Sequence, residues 1–371
     1  MGTHARLSAS SSERWMQCPG SVALSERLPE QESSEFAAEG SAAHAVAEKC
    51  LREGIDAWTM IGQVMEGHER FPVTPEMAEH LQVYTDYVRK MAGDNPIHVE
   101  TRIENAELGA NFGGTCDAYV LGQYPVLLSV FDLKYGQGIA VAAEGNSQMM
   151  YYAFGLLKTL GITKGDVCLT IVQPRDPLGD PIKEVWTTAE AILHWADNEL
   201  LPAMWAVDKP EAPLIMGEHC RWCPAKLICP RMRENFMQVV ERSDVLVEVY
   251  SEQQLASEYS CIPAAEMYIR ALKDEALKRA MAGRPVEGTK LVAGRADRTW
   301  KAGAEEQITA RFGEEAYLKS LRSPAQIERL VGGKDFAAEW AFKPEGRPTL
   351  ASADDKRSEL SPGAAFKNVG A

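Results

Sequence analysis

A chain of 371 residues, 45% hydrophobic and 25% charged, has the composition of a folded protein of about two domains and excludes disorder as its main state. No run approaches the roughly 18 to 20 consecutive apolar residues of a membrane helix, and the Ser-rich start from Met1 to Arg14 lacks an apolar core, so no membrane segment and no secretory signal are expected and a cytoplasmic location is the default. The net charge of −14 argues against coating nucleic acid through bulk charge, but leaves room for an enzyme with a local basic track and metal-bridged carboxylates.

Periodicity predicts a helix over 33–51, from Ser33, Ser34 and Glu35 through the stripe Phe36, Ala43, Val46, Ala47 and Leu51. A second helix is expected over 74–91, entered through Pro75 and stopped by Gly93. The pattern then changes to strands over 97–103, 113–121 and 126–135, the last two joined by the turn Gly122-Gln123-Tyr124-Pro125. A helix over 146–160 ends at Gly161, and an apolar strand over 167–173 has its partner at 182–186. Thr188 opens a helix to Val207. This alternation implies an α/β core with a mixed sheet. After Pro230 the chain reads as mainly helical, with a helix over 252–281, a short strand over 289–292 and a tail beginning near Lys343. The expected domains are a core over 1–235, a mainly helical domain over 236–345 and an extended tail over 346–371.

Eight cysteines in a chain of this kind point to metal or core packing rather than to disulfides. Cys50, Cys116, Cys168 and Cys261 stand singly in mostly apolar settings and read as small core residues. Cys220, Cys223 and Cys229 form C-x2-C-x5-C among prolines, so their thiolates can converge on one soft metal centre. A fourth ligand is needed for structural zinc or an iron–sulfur cluster. Cys18, also followed by proline, is one candidate; His219 is its rival and would suit zinc better. Unmetallated core thiols are the plain alternative.

Asp117 lies on one strand of the expected hairpin and Asp132 on the other. In Asp132-Leu133-Lys134 the two-residue period puts Asp132 and Lys134 on one face, with Leu133 pointing into the opposite layer. Two carboxylates on adjacent strands can share a divalent cation, and a nearby lysine can orient a water or stabilise charge developing on a phosphoryl group. Such a triplet is more often a surface ion pair; Asp117 at hairpin distance gives it weight. His44 shares a helix face with Glu48, and Gln148 with Tyr152, each pair four residues apart.

In chain order the motifs are G-S-x-x-H (Gly40 to His44), G-T-x-D (Gly114 to Asp117), D-x-K (Asp132 to Lys134) and Q-x3-Y (Gln148 to Tyr152). This ordered set resembles the PD-(D/E)XK nuclease superfamily in its RecB-like branch. The split cysteines resemble that branch's iron–sulfur subgroup, which includes the AddB nuclease domain and CRISPR-associated adaptation nucleases. The layout is similar to that of stand-alone phage- or prophage-encoded members, over roughly residues 14–231.

The resemblance implies a restriction-endonuclease-like core, a mixed sheet flanked by helices. It implies that His44, Asp117 and Asp132, with the Leu133 carbonyl, bind Mg2+ or Mn2+, and that Lys134 acts on the attacking water or the phosphate. Gln148 and Tyr152 would position DNA or support Lys134. Cys18, Cys220, Cys223 and Cys229 would hold a [4Fe-4S] cluster as a structural clamp, with Zn2+ as the alternative. Asp132 stands where many members have Glu, and Glu100 is a weaker candidate for an additional acid. The implied function is a metal-dependent deoxyribonuclease, an exonuclease on DNA ends, serving phage recombination or DNA processing in the bacterial host cytoplasm. DNA is the expected partner; a phage single-strand annealing or recombination protein and a second copy of the chain are further candidates. The rival function is a non-catalytic, cluster- or zinc-bearing DNA-binding or scaffold protein on a nuclease fold. The stretch Arg270–Lys301 carries nine Lys or Arg against four acids, and Arg295, Arg298, Trp300 and Lys301 in it are candidates to line a DNA path.

Overall fold

The computed structural model describes residues 5–29, 35–104, 111–123, 126–136, 138–241, 251–284 and 286–287. The chain divides into two compact units, Met1–Leu291 and Val292–Ala371, and the described elements belong to the first. The expected strand over 289–292, the tail from Lys343 and the DNA-path candidates Arg295, Arg298, Trp300 and Lys301 lie outside the described residues.

Six strands form one mixed sheet: β1 (Leu7–Ser8), β2 (Ile97–Glu104), β3 (Phe112–Gln123), β4 (Val126–Leu133), β5 (Asp166–Val172) and β6 (Ile182–Thr188). Their order is β1-β3-β4-β5-β6, with β2 also paired to β3. β2–β3, β3–β4 and β5–β6 are antiparallel, while β1–β3 and β4–β5 are parallel. A parallel pair needs a crossover, and α5 (Ser147–Leu160) supplies it between β4 and β5. β5 is apolar on both faces and almost wholly buried, as befits a strand with a neighbour on each edge.

Alternating side chains feed two cores. On β4, Leu128 and Val130 pack with α5, α6 (Ala189–Trp195) and α7 (Leu201–Val207). Phe131 and Leu133 pack with α3 (Glu35–Glu53) and α4 (Pro75–Ala92). The sheet is thus covered by helices on both faces, the mixed α/β architecture expected from the sequence.

Local chemistry sets the helix ends. Thr74 Oγ1 accepts from the Met77 N–H at 3.1 Å with Pro75 in the first turn, and Gly93 follows α4 at a φ of 53°. Asn146 Oδ1 accepts from the Met149 N–H at 3.1 Å, which starts α5 one residue before Gln148. The helix expected over 188–207 is present from Ala189 to Val207, capped by Thr188, with one wide π-helical turn over Ala196–Leu200 between α6 and α7. Pro202 accounts for the wider turn, because it has no N–H to return to the Asn198 carbonyl. Helices α8 (Pro230–Glu241) and α9 (Glu252–Met281) make the region after Pro230 helical, and a capping box of Ser251 and Gln254 starts α9.

Two features depart from the sequence reading. Residues 7–25 form β1, α1 (Ser12–Gln17) and α2 (Gly20–Ser25). Trp15 is fully buried and donates to the Ser8 carbonyl at 3.0 Å, while Tyr151 on α5 donates to the Leu7 carbonyl at 2.8 Å. Cys50, Cys116 and Cys168 are buried as expected, but Cys261 is not a core residue: it is only half-buried, on α9.

Candidate active site and cysteine centre

The sheet changes phase where the candidate acids lie. The β2–β3 ladder passes from Val99–Ala118 to Thr101–Cys116 and omits the pair Glu100–Asp117. Before the gap, Val99 and Ala118 pack toward α3 and α4; beyond it, Ile103 and Cys116 pack toward α5. Glu100 carries the switch with a φ of 48°, the one positive value at a non-glycine among the described residues. That conformation costs on the order of 1–3 kcal/mol and persists only when its surroundings impose it. The β3–β4 ladder ends at Ala118–Phe131, and the next strand N–H, that of Leu133, donates to Asp117 Oδ2 at 2.7 Å. A carboxylate therefore replaces a backbone acceptor at this point of the sheet.

Both helical layers reach this gap. From α3, His44 brings Nδ1 to 3.4 Å from Asp117 Oδ2. On β4 and just beyond it, Asp132 Oδ2 and Lys134 Nζ lie 2.9 Å apart. From the first turn of α5, Gln148 Oε1 accepts from Lys134 Nζ at 2.8 Å. Its Nε2 donates to Asp132 Oδ1 at 2.8 Å and to the Tyr152 hydroxyl at 3.2 Å. The six candidate site residues thus form two contact groups, His44 with Asp117 and Asp132 with Lys134, Gln148 and Tyr152, joined through the Leu133 backbone. Glu100 joins them: His44, Glu100 and Asp117 offer ligand atoms within 4.8 Å of one another.

Burial and charge oppose each other throughout. Burial disfavours charge on His44, yet the pull of Asp117, Asp132 and Glu100 raises the imidazole to about 9. Burial pushes the Asp117 carboxyl up, but His44, the Leu133 N–H and Lys134 outweigh it and hold it below the ordinary range. On Asp132 burial wins over Lys134, so its carboxyl is raised. Glu100 is pushed up to about 7 by burial and by Asp117. Burial works against the Lys134 ammonium, but Asp132 prevails and raises its pKa.

Mg2+ or Mn2+ suits this donor set, which is rich in carboxylate oxygen with one imidazole. Asp132 Oδ2 adds a test of fit. It is buried, and the Lys134 ammonium 2.9 Å away is its charge partner. A carboxylate oxygen with one such partner keeps a lone pair with which to receive a cation.

The second centre joins the two ends of the cysteine pattern. Cys18, Cys220, Cys223 and Cys229 line one cavity together with His219, Leu24 and Met232. The four are free thiols, and burial pushes Cys220 and Cys223 up, with the neighbouring sulfurs adding to the effect. His219 lines the same cavity; its Nδ1 lies 3.0 Å from Gln17 Oε1 and its Nε2 2.9 Å from the Ile215 carbonyl. His219 ties α1 to the cysteine loop, and Cys18 Sγ, which accepts from the Ile215 N–H at 3.3 Å, faces the same cavity. Four thiols around one cavity fit a four-thiolate iron–sulfur cluster or zinc.

Residues 4–358 match the family described as "Protein of unknown function (DUF2800)". The chain belongs to that family. Among solved structures, the crystal structure of SSO0001 is similar at 12% identity, over 59% of this chain and 96% of that one, with a TM-score of 0.23. So low a score carries no argument about this DUF2800 member.

Two contacts of this DUF2800 chain at the candidate sites were weakly legible. Glu100 had no motif around it; its signal was its place opposite Asp117 on a paired strand. Gln17 had none, because a glutamine beside a cysteine says nothing of a histidine 202 residues away.

Proposed function

We propose that this chain is a metal-dependent deoxyribonuclease of the RecB-like branch of the PD-(D/E)XK superfamily, acting as an exonuclease on DNA ends. The observation that carries the reading is the meeting of His44, Asp117, Asp132, Lys134 and Gln148, drawn from two helices and adjacent strands, at one point of the sheet. DNA as substrate, and phage recombination or DNA processing as setting, rest on the ordered motifs.

His44, Asp117, Asp132 and the Leu133 carbonyl would hold Mg2+ or Mn2+, which when bound supplies Lewis-acid polarisation of the phosphate and a more acidic water. The chain's own groups do the positioning. Asp117, through its bond from the Leu133 N–H, keeps the end of β4 in register with β3. Lys134 offers an ammonium to the attacking water or to the phosphoryl oxygens as negative charge builds on them. Gln148 holds Lys134 with one end of its amide and Asp132 with the other, so cation ligand and ammonium keep a fixed separation. Tyr152 braces the same amide. The four cysteines would carry a [4Fe-4S] cluster, with structural Zn2+ as the rival, and clamp residue 18 to the loop before α8. Closing so long a loop stabilises the folded state in principle.

The test is a cleavage assay on end-labelled linear, single-stranded and covalently closed circular DNA with Mg2+ or Mn2+. Linear DNA is degraded and circles survive. Equal cutting of circles would replace the exonuclease by an endonuclease, and no hydrolysis with either cation would favour the non-catalytic DNA-binding or scaffold reading.

A further inference from the structure

One half-buried charge has no part in the candidate active site. Arg14 stands on α1 one turn before Cys18, whose N–H donates to the Arg14 carbonyl at 2.8 Å. Its guanidinium reaches α2, where Nη1 donates to Ser21 Oγ at 2.7 Å and lies 3.5 Å from Ser25 Oγ. Ser21 is buried and lines the cavity of Cys18, Cys220, Cys223 and Cys229. The guanidinium is therefore bonded directly to the wall of that cavity.

The partners of Arg14 do not balance its charge. Both are hydroxyls, and among the described residues no carboxylate pairs with it. Arginine keeps its proton in proteins, so drawing it from water without a counter-charge costs free energy. Burial accordingly lowers the Arg14 pKa, and the charges that pull it back up are the sulfurs of Cys223 and Cys18. The anion this arginine answers is the thiolate set.

A charge sum gives the reason. Four thiolates around a doubly positive zinc, or around an oxidised cluster core of the same charge, leave a dianion. Leu24, Leu214 and Met232 make part of the wall apolar, which does nothing to solvate it. The chain as a whole carries −14 and opposes any further negative charge. Two cations adjoin the cavity against that background. Arg14 is one; Lys226 is the other, a lining residue whose ammonium donates to the Arg221 carbonyl at 2.7 Å across the cysteine loop.

We propose that Arg14 is the counter-charge that lets four deprotonated cysteines hold their metal, with Lys226, whose bond is open to solvent, as a lesser second. This role rests on the four-thiolate reading of the cavity and deepens it, and it is the same for iron and for zinc. Arg14 is a positioning residue rather than a ligand: it acts by favouring thiolates over thiols.

The experiment follows the iron or zinc of the purified full chain as it passes, without oxygen, to an excess of a chromogenic chelator of both metals. Glutamine at position 14 keeps a donor for Ser21 and removes the charge; lysine keeps both. Release from Arg14→Gln should be at least about 10-fold faster than from wild type, the usual effect of losing a group that supports metal ligands. Arg14→Lys should recover most of the difference, and Lys226→Gln should fall between Arg14→Gln and wild type. Wild-type release from Arg14→Gln, or release from Arg14→Lys as fast as from Arg14→Gln, overturns the proposal and leaves the four-thiolate centre standing. A wild-type chain that holds neither iron nor zinc overturns both. If Arg14→Gln does not fold, Lys226→Gln decides: faster release supports the counter-charge role and unchanged release overturns it.

Discussion

Replacing Lys134 by methionine keeps the side-chain stem and removes the charge beside Asp132. Breaking a buried ion pair by removing one partner costs about 3–5 kcal/mol when the survivor stays charged. Here the loss is smaller, for two reasons. Lys134 is 28% exposed, and Asp132 retains the Gln148 amide at 2.8 Å and can take up a proton. A loss of about 1–3 kcal/mol is expected, the cost of leaving a buried polar group unsatisfied. For a unit of this size that lowers the melting temperature by about 2–6 °C. The pH dependence carries the sharper statement. Burial already raises the Asp132 carboxyl, and Lys134 is the largest influence pulling it back. Removing the ammonium raises it further. A carboxyl raised on folding imposes no penalty below its unfolded pKa, where both states are protonated; the penalty grows as pH climbs through the folded value. Melting curves without added divalent cation, from about pH 5 to about pH 8, should therefore show the Lys134→Met deficit widening with pH. A deficit that is flat with pH, or larger in acid, would refute the electrostatic account of this pair. Cleavage should fall at least about 100-fold at any pH, as for other groups that stabilise developing charge.

Three further outcomes follow from the same coordinates. The His44 imidazole is held at about 9, and a cation needs it neutral, so Mn2+ binding near pH 7.5 should release roughly one proton. Calorimetry in buffers of different ionisation enthalpy reads this; the release should shrink above about pH 9 and be absent in His44→Gln, and enthalpies independent of buffer would contradict it. Gly155→Ala would drive a methyl group into Ile103 Cγ2 and to within 3.3 Å of the Phe112 ring, so urea unfolding should show a loss of about 1–3 kcal/mol; an unchanged midpoint would mean that α5 does not pack on β2 and β3 this closely. Cys223→Ser should abolish the visible thiolate-to-iron absorbance of purified protein, whereas a colourless wild type with one bound zinc would assign the centre to the rival metal.

Much of the architecture was legible because its signals are local. Thr74-Pro75 and Gly93 bracket α4, Asn146 and Gly161 bracket α5, and the apolar run from Val167 to Val172 has strand length. The pairing of Asp132 with Lys134 followed from the two-residue period alone, and the structure brings them to 2.9 Å. What escaped was set by contacts between distant segments. Strand β1 is two residues long and exists because Tyr151 and β3 hold it. The wide turn before Pro202 leaves the apolar pattern of the helix intact, so periodicity runs straight through it. Glu100 was underrated because its backbone conformation and its change of face have no sequence signature. Cys18 was the first candidate for fourth ligand and His219 its rival, and both line the cavity of Cys220, Cys223 and Cys229.

Hydrolysis of linear DNA by the purified full-length chain, with and without Mn2+, set beside Asp117→Ala of unchanged circular dichroism, tests the central claim most directly. The account predicts cation-dependent release of nucleotides by the wild type and none by the variant, because Asp117 touches His44 and the end of β4 at once. Equal cleavage by the two proteins, or cleavage that ignores the cation, would contradict it.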